Sequence, residues 1–314
     1  FDAYGLETGG AAMLPNGKAF FLGSTGGKTA LYTPSNSTTK AGTWALGPAI
    51  PGGGGGPDAP LAMMSDGKVL CVVSPSPTSA NHFPSPSSFY EFDYVTNTFT
   101  SVSAPGGGTS LNTSTYVLNM TCLPDGNVLF SQQGSSVYWV YTPSGAPLAA
   151  GKPTISAVEQ DGCGQFRLSG TQFNGISEGA SYGDDWQMNT NFPIVRLTSG
   201  SSVYYCRTFN WNSTGIMTGS LVTTTKFKVP ANLPAGSYSL VVTANGIASD
   251  PVAFDYAPYR SGDLDGDGWV GASDVAVLLL DFGPCAGCPA DIDLDGQVTA
   301  GDVGLLLLSD GPCF

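Results

Sequence analysis

The sequence predicts a mainly β protein in three parts, and three observations lead to this fold class. A strand–turn–strand motif occurs three times within residues 1–151. Strand patterns without that motif fill residues 152–257, and residues 258–314 hold a duplicated acidic loop, followed each time by an apolar helical pattern. Glycine and proline are abundant, at 43 and 23 residues, while 11% of residues are charged, which favours short strands and tight turns over long helices.

The first part, residues 1–151, contains three similar units. Each opens with a hairpin whose turn is Asn-Gly or Asp-Gly, because glycine accepts the positive φ that such turns need. A third strand follows in every unit, and the first two units have a fourth, at residues 42–47 and 98–103. The hairpins are AAMLPNGKAFFLG, LAMMSDGKVLCVV and MTCLPDGNVLFS, with turns at Asn16-Gly17, Asp66-Gly67 and Asp125-Gly126. A period of 50–59 residues with four strands is typical of kelch-like blades, so a partial β-propeller of three blades is predicted.

The second part, residues 152–257, is predicted to form one immunoglobulin-like β-sandwich. Its closing stretch, VPANLPAGSYSLVVTANGIAS, has the pattern of the last hairpin of such a domain. Residues 256–262 are a short linker to the third part. The candidate strands are residues 154–159, 165–170, 192–199, 202–211, 223–230 and 237–246.

The third part, residues 258–314, carries two loops with aspartates at positions 1, 3, 5 and 12 and a glycine at position 6. Calcium prefers six to eight oxygen ligands, and this spacing supplies them together with the carbonyl of position 7. Two copies in the same register argue against a merely solvated turn, so two Ca²⁺ sites are predicted. The predicted ligands are Asp263, Asp265, Asp267, Asp274 and the Trp269 carbonyl in the first loop, and Asp291, Asp293, Asp295, Asp302 and the Gln297 carbonyl in the second.

An apolar helix is predicted after each loop, with faces formed by Val275, Leu278 and Leu279 and by Val303, Leu306 and Leu307. Position 12 is Asp rather than the Glu of ordinary EF-hands, and one helix follows each loop. The tail therefore resembles a dockerin-type repeat pair. The resemblance implies that calcium folds the tail and that a protein partner, a cohesin in that family, binds it. Loop positions 10 and 11 are Ala272-Ser273 and Ala300-Gly301 instead of the Ser-Thr pair common in cohesin-binding dockerins, so anchoring at a cell surface and self-assembly stay open.

Charge and length exclude some partners. The net charge is −13, and ten aspartates against one arginine place −9 of it in residues 259–314. Nucleic acid is excluded because its binding needs a basic face, and no apolar run reaches the ~18–20 residues of a membrane span.

Because the chain begins with Phe1 and has no signal peptide, a processed or trimmed product is expected. A secreted or cell-surface location is predicted from the seven cysteines, the calcium loops and four glycosylation sequons, at Asn36, Asn112, Asn119 and Asn212.

Residues 9–256 also resemble a known family. The LPDG turn, the stretch GTQFNGISEGASYGDDWQMNTNFPIVRLT and the strand VYYCRTFNW are similar to the last propeller blades and C-terminal immunoglobulin-like domain of the galactose oxidase/glyoxal oxidase-like family. Members of that family that act as oxidases hold one copper ion with two tyrosines and two histidines. One of the tyrosines is thioether-linked to a cysteine.

The copper ligands of that family are missing from this sequence. Tyr116 matches the tyrosine of the family's Tyr-His pair, but Val117 stands at the histidine position. The stretch ASYGDDWQMNTN, where the second histidine is expected, contains none, and His82 is the only histidine in the chain. Tyr116 is therefore interpreted as structural, and copper-radical oxidation is not expected.

Weaker candidates remain in the loops and strands. Asp184-Asp185 is interpreted as Asx-turn chemistry in a glycine-rich loop, with a cation site as the alternative. Tyr138, Trp139 and Tyr141 are interpreted as strand residues, with a sugar-binding platform as the alternative.

The cysteines suggest a disulfide in the second part. A Cys163–Cys206 bridge is favoured, because both residues lie in candidate strands of one sandwich and the bridge can contribute up to ~4 kcal/mol. Cys71 and Cys122, on strands of adjacent blades, are a second candidate pair. The tail holds three more cysteines, which cannot all pair internally: Cys285, Cys288 and Cys313.

These observations predict a non-catalytic, secreted structural or interaction protein with a calcium-stabilised tail for attachment or self-assembly. Propellers close with about four to eight blades, so three blades leave apolar faces open, and a homo-oligomer or filament is expected. Two alternatives are a fragment of a copper-radical oxidase-like enzyme and a carbohydrate-binding module with a glycan ligand.

Overall fold

The computed structural model describes most of the chain as a mainly β protein with two short helices, which confirms the mainly β part of the predicted fold class. The described residues are 7–161, 164–178, 180–182, 186–187, 191–230, 232–256, 262–265, 269–285 and 287–312. Within them, all strand pairs are antiparallel and form four larger sheets and two two-stranded ribbons.

Twenty-five short strands precede, separate and follow the two helices along the described chain. The strands are β1 Ala11–Met13, β2 Ala19–Leu22, β3 Thr29–Thr33, β4 Thr43–Leu46, β5 Pro60–Met63, β6 Val69–Val73, β7 Ser88–Asp93, β8 Thr98–Val102, β9 Leu118–Cys122, β10 Val128–Gln132, β11 Trp139–Tyr141, β12 Thr154–Gln160, β13 Gln165–Thr171, β14 Ala180–Tyr182, β15 Trp186–Gln187, β16 Ile194–Ser199, β17 Ser202–Phe209, β18 Thr223–Lys228, β19 Gly236–Ala244, β20 Ile247–Ala248, β21 Val252–Tyr256, β22 Trp269–Val270, β23 Gly283–Pro284, β24 Gln297–Val298 and β25 Gly311–Pro312. The helices are α1 Ala272–Leu280 and α2 Ala300–Leu308.

Three sheets in the first half of the chain start from the predicted hairpins. The first sheet has the order β1-β2-β3-β4, the second contains β5-β6-β7-β8, and the third has the order β11-β10-β9. Gly17, Gly67 and Gly126 have φ of 78°, 87° and 89°. In the first turn, the side chain of Asn16 accepts a hydrogen bond from the backbone N–H of Lys18 at 3.1 Å. The three predicted hairpin turns are therefore confirmed.

The second sheet is extended by a distant segment that sequence patterns did not predict. β14 pairs with β5, so that Ala180 lies opposite Ala62 and Tyr182 opposite Pro60, and β15 pairs with β14. Residues from within the predicted second part thereby complete a sheet of the first part.

The three sheets pack against one another through two apolar cores. Side chains alternate along a strand, so the central sheet serves both cores. Cys71 of β6 belongs to the core shared with the first sheet, where the rings of Phe20 and Phe92 stack with centroids 4.2 Å apart. Cys122 of β9 belongs to the core between the second and third sheets.

This alternation overturns one predicted disulfide. Cys71 and Cys122 are both buried free thiols, and the second sheet separates the two cores in which they lie. The pairing of Cys71 with Cys122 is therefore wrong. Cys206 is also a buried free thiol, and its predicted partner Cys163 lies outside the described residues.

Strands β12, β13 and β16–β21 form one continuous eight-stranded sheet around a third core. The sheet is continuous because β17 pairs with β16 through residues 202–206 and with β18 through residues 207–209. Its core contains an aromatic cluster in which Phe166 stacks on Phe227 at 5.3 Å and meets Phe254 edge-on at 4.8 Å. The six predicted strands of this part are present, and β20 and β21 were missed.

The tail packs its two helices and two ribbons around a fourth, small core. The ribbons are β22 with β25 and β23 with β24, so each acidic loop is linked to the segment that follows the other loop's helix. Cys285 and Cys288 form a disulfide, and Cys313 lies outside the described residues. Neither described helix is long and apolar enough to cross a membrane. The core is formed by Val270, Leu278, Ala290, Val298 and Leu306, each at most 2% exposed.

Candidate metal centres in the acidic loops

The first acidic loop gathers three of its predicted ligands around one buried carboxylate. Oxygens of Asp263, Asp265 and Asp274 lie within 4.8 Å of one another. Asp274, in the first turn of α1, is fully buried, Asp263 is half-buried and Asp265 is exposed. Asp267 lies outside the described residues, and Trp269 begins β22. The described part of the loop offers three carboxylates to one cation, with one of them held in the core.

The second loop repeats this arrangement. Oxygens of Asp291, Asp293 and Asp302 lie within 4.8 Å of one another, and Asp291 and Asp302 are buried at 2% and 0% exposure. Asp295 and Gln297 are exposed, and the Asp295 carboxylate accepts the backbone N–H of Gln297 at 2.8 Å. Three like charges this close repel one another, which favours binding of a divalent cation.

Backbone hydrogen bonds hold the two position-12 aspartates in place. One oxygen of Asp274 accepts the N–H groups of Leu264 and Asp265 at 2.6 and 3.2 Å, and the other accepts that of Gly271 at 2.7 Å. Asp302 accepts the N–H groups at loop positions 2, 3 and 9 in the same way, at 2.7, 3.1 and 2.8 Å. Burial raises the pKa of both carboxyls, but these N–H groups outweigh it and keep the pKa of each below its ordinary value. Both are therefore charged at neutral pH.

Each loop is tied to the tail core by the residue at position 8, which sequence reasoning missed. Val270 and Val298 hold this position and are 2% and 0% exposed. The available signal was an identical apolar residue at the same position of both copies.

The predicted apolar helix faces are only partly buried. Leu278 and Leu306 lie in the core, but Leu279 and Leu307 are 53% and 59% exposed. The periodicity alone therefore does not decide which leucines are buried, because an unbroken run of leucines fits more than one helical phase. Exposed apolar side chains lie at the end of each helix. Leu279, Leu280 and Phe282 follow α1, and we call this set the α1 leucine patch; Leu307 and Leu308 end α2. The ribbons place the end of each helix beside the start of the other, so the two sets lie at opposite ends of the helix pair.

The segment that resembles a copper-radical site lies next to the chain's single histidine. Tyr116 and Val117 belong to a one-turn 3₁₀ helix, and the Tyr116 ring contacts that of Phe83 at 4.8 Å. Ser114 donates a hydrogen bond to the Phe83 carbonyl at 2.7 Å, so the neighbouring His82 belongs to a segment held near Tyr116. One imidazole in the chain still cannot supply the two that such a copper site requires.

A polar cleft of ≈ 450 Å³ lies at the end of the third sheet. Tyr116, Tyr138 and Tyr182 line it together with Asn119 and Gln132. The Tyr182 hydroxyl donates a hydrogen bond to the Tyr116 carbonyl, which joins two walls of the cleft. Tyr138 is 63% exposed. Of the predicted aromatic platform, Tyr138 faces this cleft.

The remaining predicted sites are placed as follows. Trp139 and Tyr141 pack partly against the core between the second and third sheets and do not belong to the polar cleft. Asp184-Asp185 lies outside the described residues. Asp281 lies near both sulfur atoms of Cys285 and Cys288, but the disulfide removes those sulfurs as metal ligands.

In comparisons with known proteins, no family model matches this chain and no curated protein matches it significantly.

Proposed function

We propose that this chain is a non-catalytic, secreted structural or interaction protein whose tail binds two Ca²⁺ ions and serves attachment or self-assembly. The observation that carries the proposal is the duplicated acidic loop. Both copies hold a charged, buried aspartate at position 12 by the same three backbone hydrogen bonds. Both place it within 4.8 Å of two further carboxylates. Oxygen-only ligand sets of this kind suit calcium.

Calorimetric titration of the chelator-treated full chain with CaCl₂ tests the calcium sites. Two ions are expected to bind. Asp302→Asn removes a charge from the second cluster only, so it is expected to abolish or strongly weaken one site and leave the other. Asp310→Asn is the matched control, because Asp310 is an exposed aspartate of the tail outside both loops. Absence of binding heat, or two intact sites in the Asp302 variant, contradicts the proposal.

The three packed sheets support the further proposal of kelch-like propeller blades, because they repeat in register. Counting four residues from the turn glycine reaches Phe21, Cys71 and Phe130 in the three hairpins. Cys71 and Phe130 are buried against the preceding sheet. We propose that the eight-stranded sheet corresponds to the immunoglobulin-like domain of the galactose oxidase-like family. The short hairpin from β14 to β15 is one of its contacts with the blades, and Gly246 beside the turn at Gly126 is another.

The same register supports self-association. Phe21 lies on the face of the first sheet that no described element covers, beside Trp44 and Leu46, which are 63% and 81% exposed. A soluble monomer rarely leaves such a face in water. Sedimentation of the chain in calcium is expected to give species larger than the 32.2 kDa monomer, and Trp44→Ser is expected to reduce them. A stable monomer at all concentrations refutes self-association but not the calcium sites.

A glycan ligand is the second candidate function, and the polar cleft favours it. Three tyrosines and three amide residues, Gln133 being the third, combine flat rings and hydrogen-bonding groups in a cavity of ≈ 450 Å³, within the usual ligand range. Glycan-array binding that Tyr138→Ser removes supports this function. Tyr205→Ser is the control, because Tyr205 is similarly exposed, at 53%, but lies on β17.

A further inference from the structure

Among the described residues, the third sheet has one strand fewer than the first. β4 pairs with β3 in the first sheet and β8 with β7 in the second, but β11 has a strand neighbour on one side, β10. An edge strand presents backbone N–H and C=O groups along its outer side. β11 is therefore available for pairing with an added strand.

The fourth strands of the first and second sheets, β4 and β8, show which side chains an added strand would present. Trp44 of β4 stands opposite Tyr32 of β3, and Phe99 of β8 stands opposite Phe92 of β7. The ring pairs are in contact, with centroids 4.9 and 5.3 Å apart. In both strands a threonine precedes the aromatic residue. The fourth strand thus follows a Thr–aromatic pattern with its ring on that of the third strand.

Tyr141 holds the equivalent position in the third sheet. In the second sheet, Val69 lies two residues after the turn glycine and pairs with Phe92. In the third, Val128 also lies two residues after its turn glycine and pairs with Tyr141. A fourth strand on β11 would therefore place its aromatic residue opposite Tyr141.

An apolar cleft of ≈ 500 Å³ occupies the place where that ring belongs. Between the first and second sheets, the Phe99 ring fills the corresponding space by contacting Phe20, Tyr90 and Phe92 at 6.4, 6.3 and 5.3 Å. Leu70 is the equivalent of Phe20, because each lies three residues after its turn glycine. Tyr141 is the equivalent of Phe92, and Trp139 is the equivalent of Tyr90, because each lies two residues earlier on the same strand. Leu70, Trp139 and Tyr141 all line the cleft.

The cleft is preformed at its polar end. The Tyr141 hydroxyl donates a hydrogen bond to the Glu91 carboxylate at 2.8 Å, and Lys68 pairs with the same carboxylate at 2.7 Å. Glu91 is 5% exposed, so this network is buried and keeps the Tyr141 ring oriented towards the cleft. The ring therefore needs no rearrangement before a ligand binds, which lowers the entropic cost of binding.

We propose that the edge of β11 and this cleft bind an extended segment of another polypeptide. The segment adds to the third sheet as an antiparallel fourth strand and places an aromatic side chain in the cleft, opposite Tyr141. Backbone pairing supplies the general affinity, and the cleft selects the aromatic residue, as in other strand-addition complexes. The cleft volume lies within the range of binding pockets. This inference does not depend on calcium.

The chain's own β8 sequence provides the probe. A fluorescently labelled peptide of residues 97–103, NTFTSVS, is titrated with the full chain and followed by anisotropy. Saturable binding is expected. Serine in place of the phenylalanine is expected to weaken binding by about tenfold or more, since each tenfold step is ~1.4 kcal/mol. Equal binding of the two peptides, or none at millimolar chain concentration, overturns the proposal.

Variants locate the site. Trp139→Ala is expected to weaken binding of the peptide by about tenfold. Tyr205→Ala, at a 53% exposed position on β17, leaves binding unchanged. A second variant, Ser103→Trp, tests the cleft even if the Trp139 variant misfolds. Ser103 is an exposed residue of the cleft wall, so its replacement fills the cleft without removing a core side chain. Normal binding to the Ser103 variant overturns the proposal. So does a wild-type dimer that this variant converts to monomer, because the occupant is then a second copy of the chain.

Discussion

The disulfide between Cys285 and Cys288 is expected to tune the second calcium site and not the first. The backbone N–H of Cys285 donates to the carbonyl of Gly296, at position 6 of the second loop, at 2.9 Å. The N–H of Asp291, at position 1, donates to the carbonyl of Cys288 at 3.3 Å. The disulfide therefore fixes a segment that contacts two points of the second loop. Replacing both cysteines by serine should raise the free-energy cost of ordering the second loop when calcium binds.

The magnitude follows from the length of the closed loop. The two cysteines are three residues apart in sequence. The chain-entropy relation for so short a loop gives ~2 kcal/mol at 25 °C as the constraint lost. If the whole constraint acts on ordering of the second loop, the affinity of that site falls by roughly 25-fold, because ~1.4 kcal/mol corresponds to tenfold.

Calcium titrations of the wild type and the double serine variant provide the measurement. Trp269 lies at position 7 of the first loop, so its fluorescence reports the first site while calorimetry reports both. The expected result is one weakened site and an unchanged tryptophan transition. Equal weakening of both sites, or no change in either, would refute the reasoning that the disulfide acts through its contacts with the second loop.

Three further outcomes are expected. Phe227→Ala, at a fully buried position, lowers the free energy of unfolding by ~3–5 kcal/mol, whereas Val203→Ala, at a 52% exposed position, changes it by less than ~0.5 kcal/mol in chemical denaturation. With calcium present, the helical circular dichroism of the tail is lost as pH falls below ~3.9, because the position-12 aspartates have lowered pKa values and stabilise the fold only while charged. Loss beginning above pH ~6 contradicts this assignment. Burial raises the pKa of Cys122 and Cys206 to about 12, so mass spectrometry should find them alkylated only after unfolding.

Local patterns predicted those features whose cause is local. Gly17 and its two counterparts were predictable as turns because a positive φ is a property of one residue and its neighbours. The clustering of Asp274 with two earlier aspartates follows from the same short-range spacing, since the ligands of one loop lie within twelve residues.

Features decided by distant contacts were not predictable in this way. Ala180 pairs with Ala62 across more than a hundred residues, and no local pattern in either segment specifies the other. The orientation of α1 is a second case. Its leucine run at 278–280 is apolar on more than one face, so the packing of the tail core, rather than periodicity, decides that Leu278 is buried and Leu280 is 86% exposed. The thiols of Cys71 and Cys122 were assigned to each other because the sequence does not reveal on which side of a sheet a strand residue lies.

Two of the exposed apolar surfaces, the face around Trp44 and the α1 leucine patch, can be tested for contact with each other. In a head-to-tail assembly the patch of one copy covers the first sheet of the next, and such a contact forms a filament when its rotation does not close. Trp44→Ser and Leu280→Ser then remove two sides of one interface, so the double variant loses less association energy than the sum of the single variants. If each surface binds a different partner, the two losses add within ~0.5 kcal/mol. Sedimentation equilibrium of the wild type, the two single variants and the double variant completes the cycle, and additivity excludes the head-to-tail contact while leaving both surfaces as separate attachment sites.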